Sequence, residues 1–370
     1  MSEQAPVTVR ELVAGLDRLF PFQWAEPWDR VGLVAGDPDR PLRSVLVTLD
    51  ADRSAVRRAV QGGHDLLLTH HPALLDVSLP LLPTGSEATL FDALSAGISL
   101  VCCHTNLDRA PSGADALPRL LGLHVLEPLE AAVEPVSMIT TFAPTAAASG
   151  IREALAAAGA GRIGMYSKCA FESPGTGFFE ANEGSVPTPG PLDVNQVSEV
   201  RLEAVVASGS AGRVVAALRA AHPYHEPVIT VVDGGLSRGV ARLGRLCEVP
   251  EPMSLRTFAA ECASALNVDA RVWGDPETMI RLIAVGNGSA GSLIDRAIAS
   301  GADVLLAGEV RYHDARAALD AGLAVVEAGH DATEWPLVHV LADAAREILT
   351  EHTRVSEEAP AVGWWTTERR

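Results

Sequence analysis

The sequence predicts an α/β protein whose core comes in two halves, residues 1–133 and 235–370, interrupted by an inserted ferredoxin-like α+β domain over residues 134–234. Three observations carry that prediction. Short apolar runs bounded by polar turns alternate with helical patterns on both sides of the middle, the texture of βαβ units. Several of those runs end in histidine and carboxylate residues, at what would be the carboxyl edge of a parallel sheet. Between the two halves, strand and helix patterns fall in the order βαββαβ, the ferredoxin-like order.

Composition sets the bounds. At 370 residues the chain is too long for one ordinary core, which implies two or three domains. With 48% hydrophobic and 21% charged residues it has ample material for globular packing. Lys+Arg 29 against Asp+Glu 47 gives a formal charge of −18, which repels phosphate backbones and anionic lipid, so neither nucleic acid nor membrane is expected as a partner. The first twenty residues contain acids and no long apolar run, so neither a signal peptide nor a membrane span is expected, and a cytoplasmic location is. The five cysteines, Cys102, Cys103, Cys169, Cys247 and Cys262, show no C-x-x-C spacing. They are expected to be reduced, with Cys102 and Cys103 serving as small buried hydrophobes.

The elements follow in order. Val9, Leu12, Val13, Leu16, Leu19 and Phe20 recur near a period of 3.6, and Thr8 caps them with Glu11 three residues on. The proline-rich stretch over 20–37 reads as a loop with Asp29 and Gly32 at its turn. A strand over 44–49, a helix over 53–61 and a strand running into His70-His71 make one βαβ unit. A helix over 87–96 and a strand over 98–103 make the next. Within the insert, strands over 138–142, 200–207 and 228–232, helices over 151–158 and 211–221, and a glycine-rich β region over 159–180 complete the pattern. Its Gly175, Gly177 and the run His222-Pro223-Tyr224-His225-Glu226-Pro227 suit turns and strand edges better than a small ligand site. After the insert come a helix over 254–266 and strands over 280–285, 303–307 and 324–327.

The chemistry gathers at the strand ends. Leu66-Leu67-Leu68 reads as a buried strand that ends in His70-His71 and is closed by Pro72. Adjacent strand residues face opposite ways, so this pair suits either two neighbouring ions or a loop that binds none. The strand over 98–103 likewise runs into His104 and Asp108, which can be ligands, or an orienting residue and a helix cap. Glycines and serines over 286–292, Gly286, Gly288 and Ser289 among them, precede a helix over 293–300 and form a candidate anion site for substrate. His330 and Glu334 are four apart where a helix begins, on one face, a common way to hold a divalent ion.

The motifs THHP, HTNLD, GEVRYHDA and GHDATE, in this order around an insert, resemble the NIF-three-like dinuclear-metal family, often labelled GTP cyclohydrolase 1 type 2 homologues. The resemblance covers nearly the whole chain, including WDRVGL near the start and GAGRIGMYSKCAFESPGTGFFE and HPYHEP in the insert. Those insert motifs are similar to the longer bacterial members, whose extra domain is likened to the PII and CutA folds. The family pattern implies two divalent ions, zinc, iron or manganese, held by His70, His71, Asp108, His330 and Glu334, with Glu334 bridging or nearly so. It also implies a toroidal homohexamer of trimers. Arg30, His225 and Glu309 depart from the usual Asn, Glu and Asp, and none of them is an implied ligand.

Such a centre suits hydrolysis of a small nucleotide-like or phosphorylated substrate. His104 and His313 are candidates either for proton transfer or for orienting a ligand. The alternative is a non-catalytic metal-binding scaffold, a metal chaperone or a ligand sensor.

Overall fold

The computed structural model describes residues 6–76, 80–163, 166–180 and 195–359. It forms two compact units, one from the outer segments up to Ala131 and from Gly239 onward, the other spanning Ala132–Arg238. The predicted mixed α/β class is what the chain adopts.

The first unit contains two sheets. In the five-stranded sheet the order is Gly32–Ala35, Ser99–Cys102, Leu66–Thr69, Ser44–Thr48 and Arg354–Glu357. The last four run parallel, and Gly32–Ala35 pairs antiparallel at the edge. Every residue of the three central strands is buried, as a parallel sheet covered on both faces requires. Strand alternation divides them. Leu66 and Leu68 pack with Val45, Val47 and Val101 under the helices Val9–Leu19 and His330–Ile348. Leu67 packs with Leu46 and Leu100 under Arg53–Gln61 and Ala88–Ala96. Each fully buried leucine contributes about 1.5–3 kcal/mol.

The strand Leu66–Thr69 is also fixed at its start. Asp65 accepts from the backbone N–H groups of Arg43 at 2.9 Å and Ser44 at 3.1 Å, and from Arg40 at 3.0 Å. Burial works against this carboxylate, yet the three donors outweigh it and hold its pKa below the usual range.

The second sheet has the order Arg271–Trp273, Ala324–Glu327, Val304–Ala307, Met279–Val285, Arg245–Ser254 and His124–Pro128. Its inner three strands, Met279–Val285, Val304–Ala307 and Ala324–Glu327, are parallel. The nineteen-residue helix His330–Ile348 leaves this sheet after Ala324–Glu327 and packs Leu337, Leu341 and Ala345 onto the first sheet. One helix therefore joins the two sheets, and its first turn lies at the carboxyl ends of both.

The capping box comes out as expected, with Thr8 N–H donating to Glu11 at 2.7 Å and Glu11 N–H to Thr8 Oγ1 at 3.3 Å. Two expectations need correction. The stretch over 20–37 is not all loop, because Gly32–Ala35 pairs antiparallel with Ser99–Cys102, with a register shift between Leu33 and Ala35. The strand Arg245–Ser254 carries no alternating signal in the sequence because Pro250 and Pro252 interrupt it, and its register shifts between Glu248 and Met253.

The second unit runs Val133–Pro144, Ala148–Ala157, Phe171–Phe179, Asn195–Ala207, Ala211–Ala221 and Ile229–Ser237, in βαββαβ order. Its antiparallel sheet orders Phe171–Phe179, Asn195–Ala207, Val133–Pro144 and Ile229–Ser237. Ile139, Ile151, Leu155, Leu202, Val214 and Leu218 fill its core. The HPYHEP run is a turn lock: buried His222 donates from Nε2 to the Phe142 carbonyl at 3.0 Å and accepts the Tyr224 N–H at Nδ1 at 3.1 Å.

Ala132 O accepts from Arg238 N at 2.9 Å, so the ends of the second unit meet. Replacing residues 132–238 by a short Gly/Ser linker is expected to leave a folded protein with cooperative thermal unfolding; an aggregated product without native circular dichroism refutes independence of the units. Asp65→Asn is expected to cost about 1–3 kcal/mol of unfolding free energy at pH 7. Because the folded pKa is depressed, that gap is full above the unfolded value of about 3.9 and closes as the pH falls below it, as urea titrations at pH 7 and pH 3 would show.

Candidate metal centre

Four imidazoles and two carboxylates converge where the strands of the first sheet end and the helix His330–Ile348 begins. The strand Leu66–Thr69 stops one residue before His70, and Thr69 Oγ1 donates to the His71 carbonyl at 2.7 Å, closing a turn that Pro72 follows. That turn brings both imidazoles to one place despite strand alternation, with ring centroids 5.1 Å apart. His104 follows the adjacent strand Ser99–Cys102 and lies 5.2 Å from His70 and 5.7 Å from His71, ring to ring. Asp108 sits on the short helix Thr105–Arg109.

The ligand atoms form overlapping trios. His70, Asp108 and Glu334 make one; His71, His330 and Glu334 make another; His70, His71 and His104 make a third. In the first, His70 Nε2 is 3.7 Å from Asp108 Oδ1 and 3.8 Å from Glu334 Oε1. In the second, Glu334 Oε2 is 2.8 Å from His71 Nε2, and Glu334 Oε1 is 3.2 Å from His330 Nε2. Four ligands on one ion at about 2.0–2.1 Å stand roughly 3.3–3.4 Å apart, so these separations bracket a coordination shell. Among the described residues, His70 Nε2 and Asp108 Oδ1 are buried without a hydrogen-bond partner. Buried polar atoms are rarely left so, and a cation satisfies both at once. The residues present therefore fit a divalent ion.

Each imidazole is oriented through its other nitrogen. His70 Nδ1 pairs with the Cys103 carbonyl at 3.0 Å, His71 Nδ1 with Asp50 at 2.8 Å, His104 Nδ1 with Asp29 at 2.9 Å and His330 Nδ1 with Glu309 at 3.2 Å. An acceptor on Nδ1 fixes the tautomer that turns a bare Nε2 toward a metal. Two glycines permit the close approach. A Cβ on Gly288, whose φ is +53°, would stand 2.0 Å from Glu334 Oε1, and one on Gly308 would stand 2.7 Å from His330 Cα.

Charge is concentrated here. Burial opposes the Glu334 carboxylate, but the imidazoles of His330, His70 and His71 outweigh it and hold its pKa well below the carboxylate range. Burial also opposes a charged His71, yet Asp50 and Glu334 push it up to about 10, while Glu334 carries His330 to about 9. Asp29 is driven down to about 2: burial raises it, and the bonds from His104 and Thr105 prevail.

Of the residues named from sequence, His70, His71, Asp108, His330, Glu334 and His104 come together. His313 does not: it is exposed at the start of the helix Tyr312–Asp320, its ring against Tyr312 at 5.3 Å, and it enters none of the trios. Gly286 and Gly288 spend their N–H groups inside the fold, on Leu306 O at 3.0 Å and Thr333 Oγ1 at 3.1 Å, and the α-helix that follows, Ile294–Ala299, has only six residues. Neither glycine offers a free donor to an anion. Ser289 does line a cavity of about 510 Å³ together with His104, Asp108, Asn287, His330 and Glu334. Sequence reasoning passed over Asp50 and Asp29 as orienting groups. Asp50 follows a strand of the same sheet as His70 and His104 do, so the carboxyl-edge rule contained its signal; Asp29 lies in an irregular loop, and its only signal was its place in the WDRVGL motif.

The chain matches Duf34/NIF3 (NGG1p interacting factor 3) over residues 7–359. A GTP cyclohydrolase 1 type 2 homolog of Mycobacterium tuberculosis is 35% identical over 359 residues, covering 94% of this chain and 92% of that protein. A protein of the same name from Bacillus subtilis is 32% identical over 330 residues, covering 88% of each. Among solved structures, a Bacillus cereus protein related to NIF3 superposes with a TM-score of 0.66 at 29% identity, covering 99% of this chain and all of that one. A Staphylococcus aureus protein gives 0.66 at 25% identity, with coverage of 99% and 100%. With a match that spans nearly all of its length, this chain belongs to the DUF34/NIF3 family.

Proposed function

We propose that the protein holds two divalent ions, zinc, iron or manganese, and uses them to hydrolyse a small nucleotide-like or phosphorylated substrate. The observation that carries this reading is the sharing of Glu334 between the trio with His70 and Asp108 and the trio with His71 and His330. When bound, paired divalent ions supply Lewis acidity and draw the pKa of water toward neutrality. The chain's own residues do the rest. Cys103, Asp50 and Glu309 keep His70, His71 and His330 facing inward. His104, its Nδ1 engaged by Asp29, keeps Nε2 as the atom that takes up or returns a proton at the cavity wall. Nitrogen and oxygen donors without thiolate suit borderline ions. Among the described residues no helix is long and apolar enough to cross a membrane.

The family resemblance further supports a toroidal homohexamer of trimers. A light-scattering mass near sixfold the 38.8 kDa protomer is expected, and a monomeric mass overturns it.

Elemental analysis is expected to find two ions per chain. Glu334→Gln should bring that below one, since it serves both trios, while Asp108→Asn should remove about one and leave the other. Equal stoichiometry in Glu334→Gln and the parent removes Glu334 from the centre. Turnover found in a screen of nucleotides and phosphoesters should vanish with chelator and return with added metal. His104→Ala should then lower turnover roughly 100-fold with metal content retained. A fully metallated protein silent across that screen favours the scaffold.

A further inference from the structure

The loop over 26–29 is pinned along its length to the segment carrying His104. Glu26 N–H donates to Thr105 Oγ1 at 2.9 Å, Thr105 N–H donates to Asp29 at 3.0 Å, and Arg109 pairs with Glu26. Between those anchors Trp28 stays 54% exposed. Trp24, four residues earlier, packs against the core; Trp28 joins no core cluster among the described residues and touches His104 edge-on, with centroids 6.0 Å apart. A large apolar ring held rigidly in water gains nothing for folding. Its place is the wall of the 510 Å³ cavity that also reaches His330 and Glu334.

The rest of that lining limits what fits. Asn287, Ser289 and Ser292 offer neutral donors and acceptors, the Asn amide presenting one of each side by side. Among the described lining residues there is no lysine or arginine, whereas Glu26, Asp108 and Glu334 are all acidic. Asp108 and Glu334 belong to the metal centre and Glu26 is paired with Arg109, so a single phosphate is met at the metal centre, whereas the further phosphates of a polyphosphate find no lysine or arginine among the described lining residues to hold them.

We propose that the cavity binds a nucleoside monophosphate, with the base stacked on Trp28, its polar edge read by Asn287 and the serines, and its single phosphate at the metal centre, and that it excludes triphosphates. This rests on the metal reading above and narrows its substrate class.

Calorimetry on the zinc-loaded full chain with GMP, AMP, UMP, the matching triphosphates and inorganic phosphate tests it, with protein-bound zinc assayed before and after each titration. At least one monophosphate should bind tenfold or more tightly than its triphosphate. Trp28→Ala should weaken that monophosphate roughly tenfold, by loss of stacking. Zinc content and inorganic phosphate affinity should hold, and Trp28→Phe should recover part of the loss. Triphosphates binding as tightly, a Trp28→Ala affinity equal to the parent's, or no monophosphate binding by a zinc-loaded chain each overturn the proposal. A chain that takes up no zinc fails the metal reading itself, and the zinc assay reports that failure separately.

Discussion

A carboxylate buried to 5% exposure, Glu334, is the constraint around which this molecule is arranged. An isolated charge at such a depth costs far more than folding can spare, so the fold must bring compensating groups to it. It does so with imidazoles from two directions: His70 and His71 at the end of a strand in one sheet, and His330 one helical turn away on Glu334's own helix. That helix leaves the second sheet and covers the first. Folding of the core and assembly of the site are consequently one event.

The geometry depends on contacts between residues far apart in sequence. The turn at Gly288 must approach Glu334 more closely than any side chain allows, and Gly308 N–H holds the Gly288 carbonyl at 2.8 Å to keep it there. The four Nδ1 acceptors come from four different segments, and Cys103 adjoins His104, so the loop that orients His70 also carries another of the imidazoles. Placing histidines on strand ends and their orienting carboxylates on neighbouring loops is how a rigid sheet yields a site of defined shape.

Much of this was legible in the sequence, for reasons that differ by element. Leu66-Leu67-Leu68 announces itself because a parallel strand buried on both faces needs apolar residues without alternation. His330 and Glu334 are legible because helical spacing alone puts them together, and the Thr8 capping box because its bonds span three residues. What stayed hidden depends on distant partners. Gly32–Ala35 is a strand only because Ser99–Cys102 offers an edge. Asp29 matters only because the loop carrying it crosses His104, 75 residues on. The glycine-rich 286–292 turn has the composition of an anion loop, but Leu306 and Thr333 engage the N–H groups of Gly286 and Gly288. His313 follows a strand end as His104 does, yet it lies exposed at the start of its helix and apart from the cluster that His104 joins.

The cysteines explain why the donors are nitrogen and oxygen. Cys102 and Cys103 stand two residues and one residue before His104, near enough to compete for a metal through thiolate. Each is instead spent on His70: Cys102 Sγ donates to the His70 carbonyl at 3.0 Å, and the Cys103 carbonyl accepts from the His70 ring. Burial pushes the Cys103 thiol up to about 12 and raises Cys102 well above its ordinary value, so neither offers a thiolate at neutral pH. Strand alternation turns Cys103 into the core beneath the helix His330–Ile348. The fold thus uses the backbone of a soft ligand to aim a borderline one. A metal held here would meet nitrogen and oxygen donors that oxidation does not readily alter, and preference among metals would be left to shape and charge rather than to sulfur.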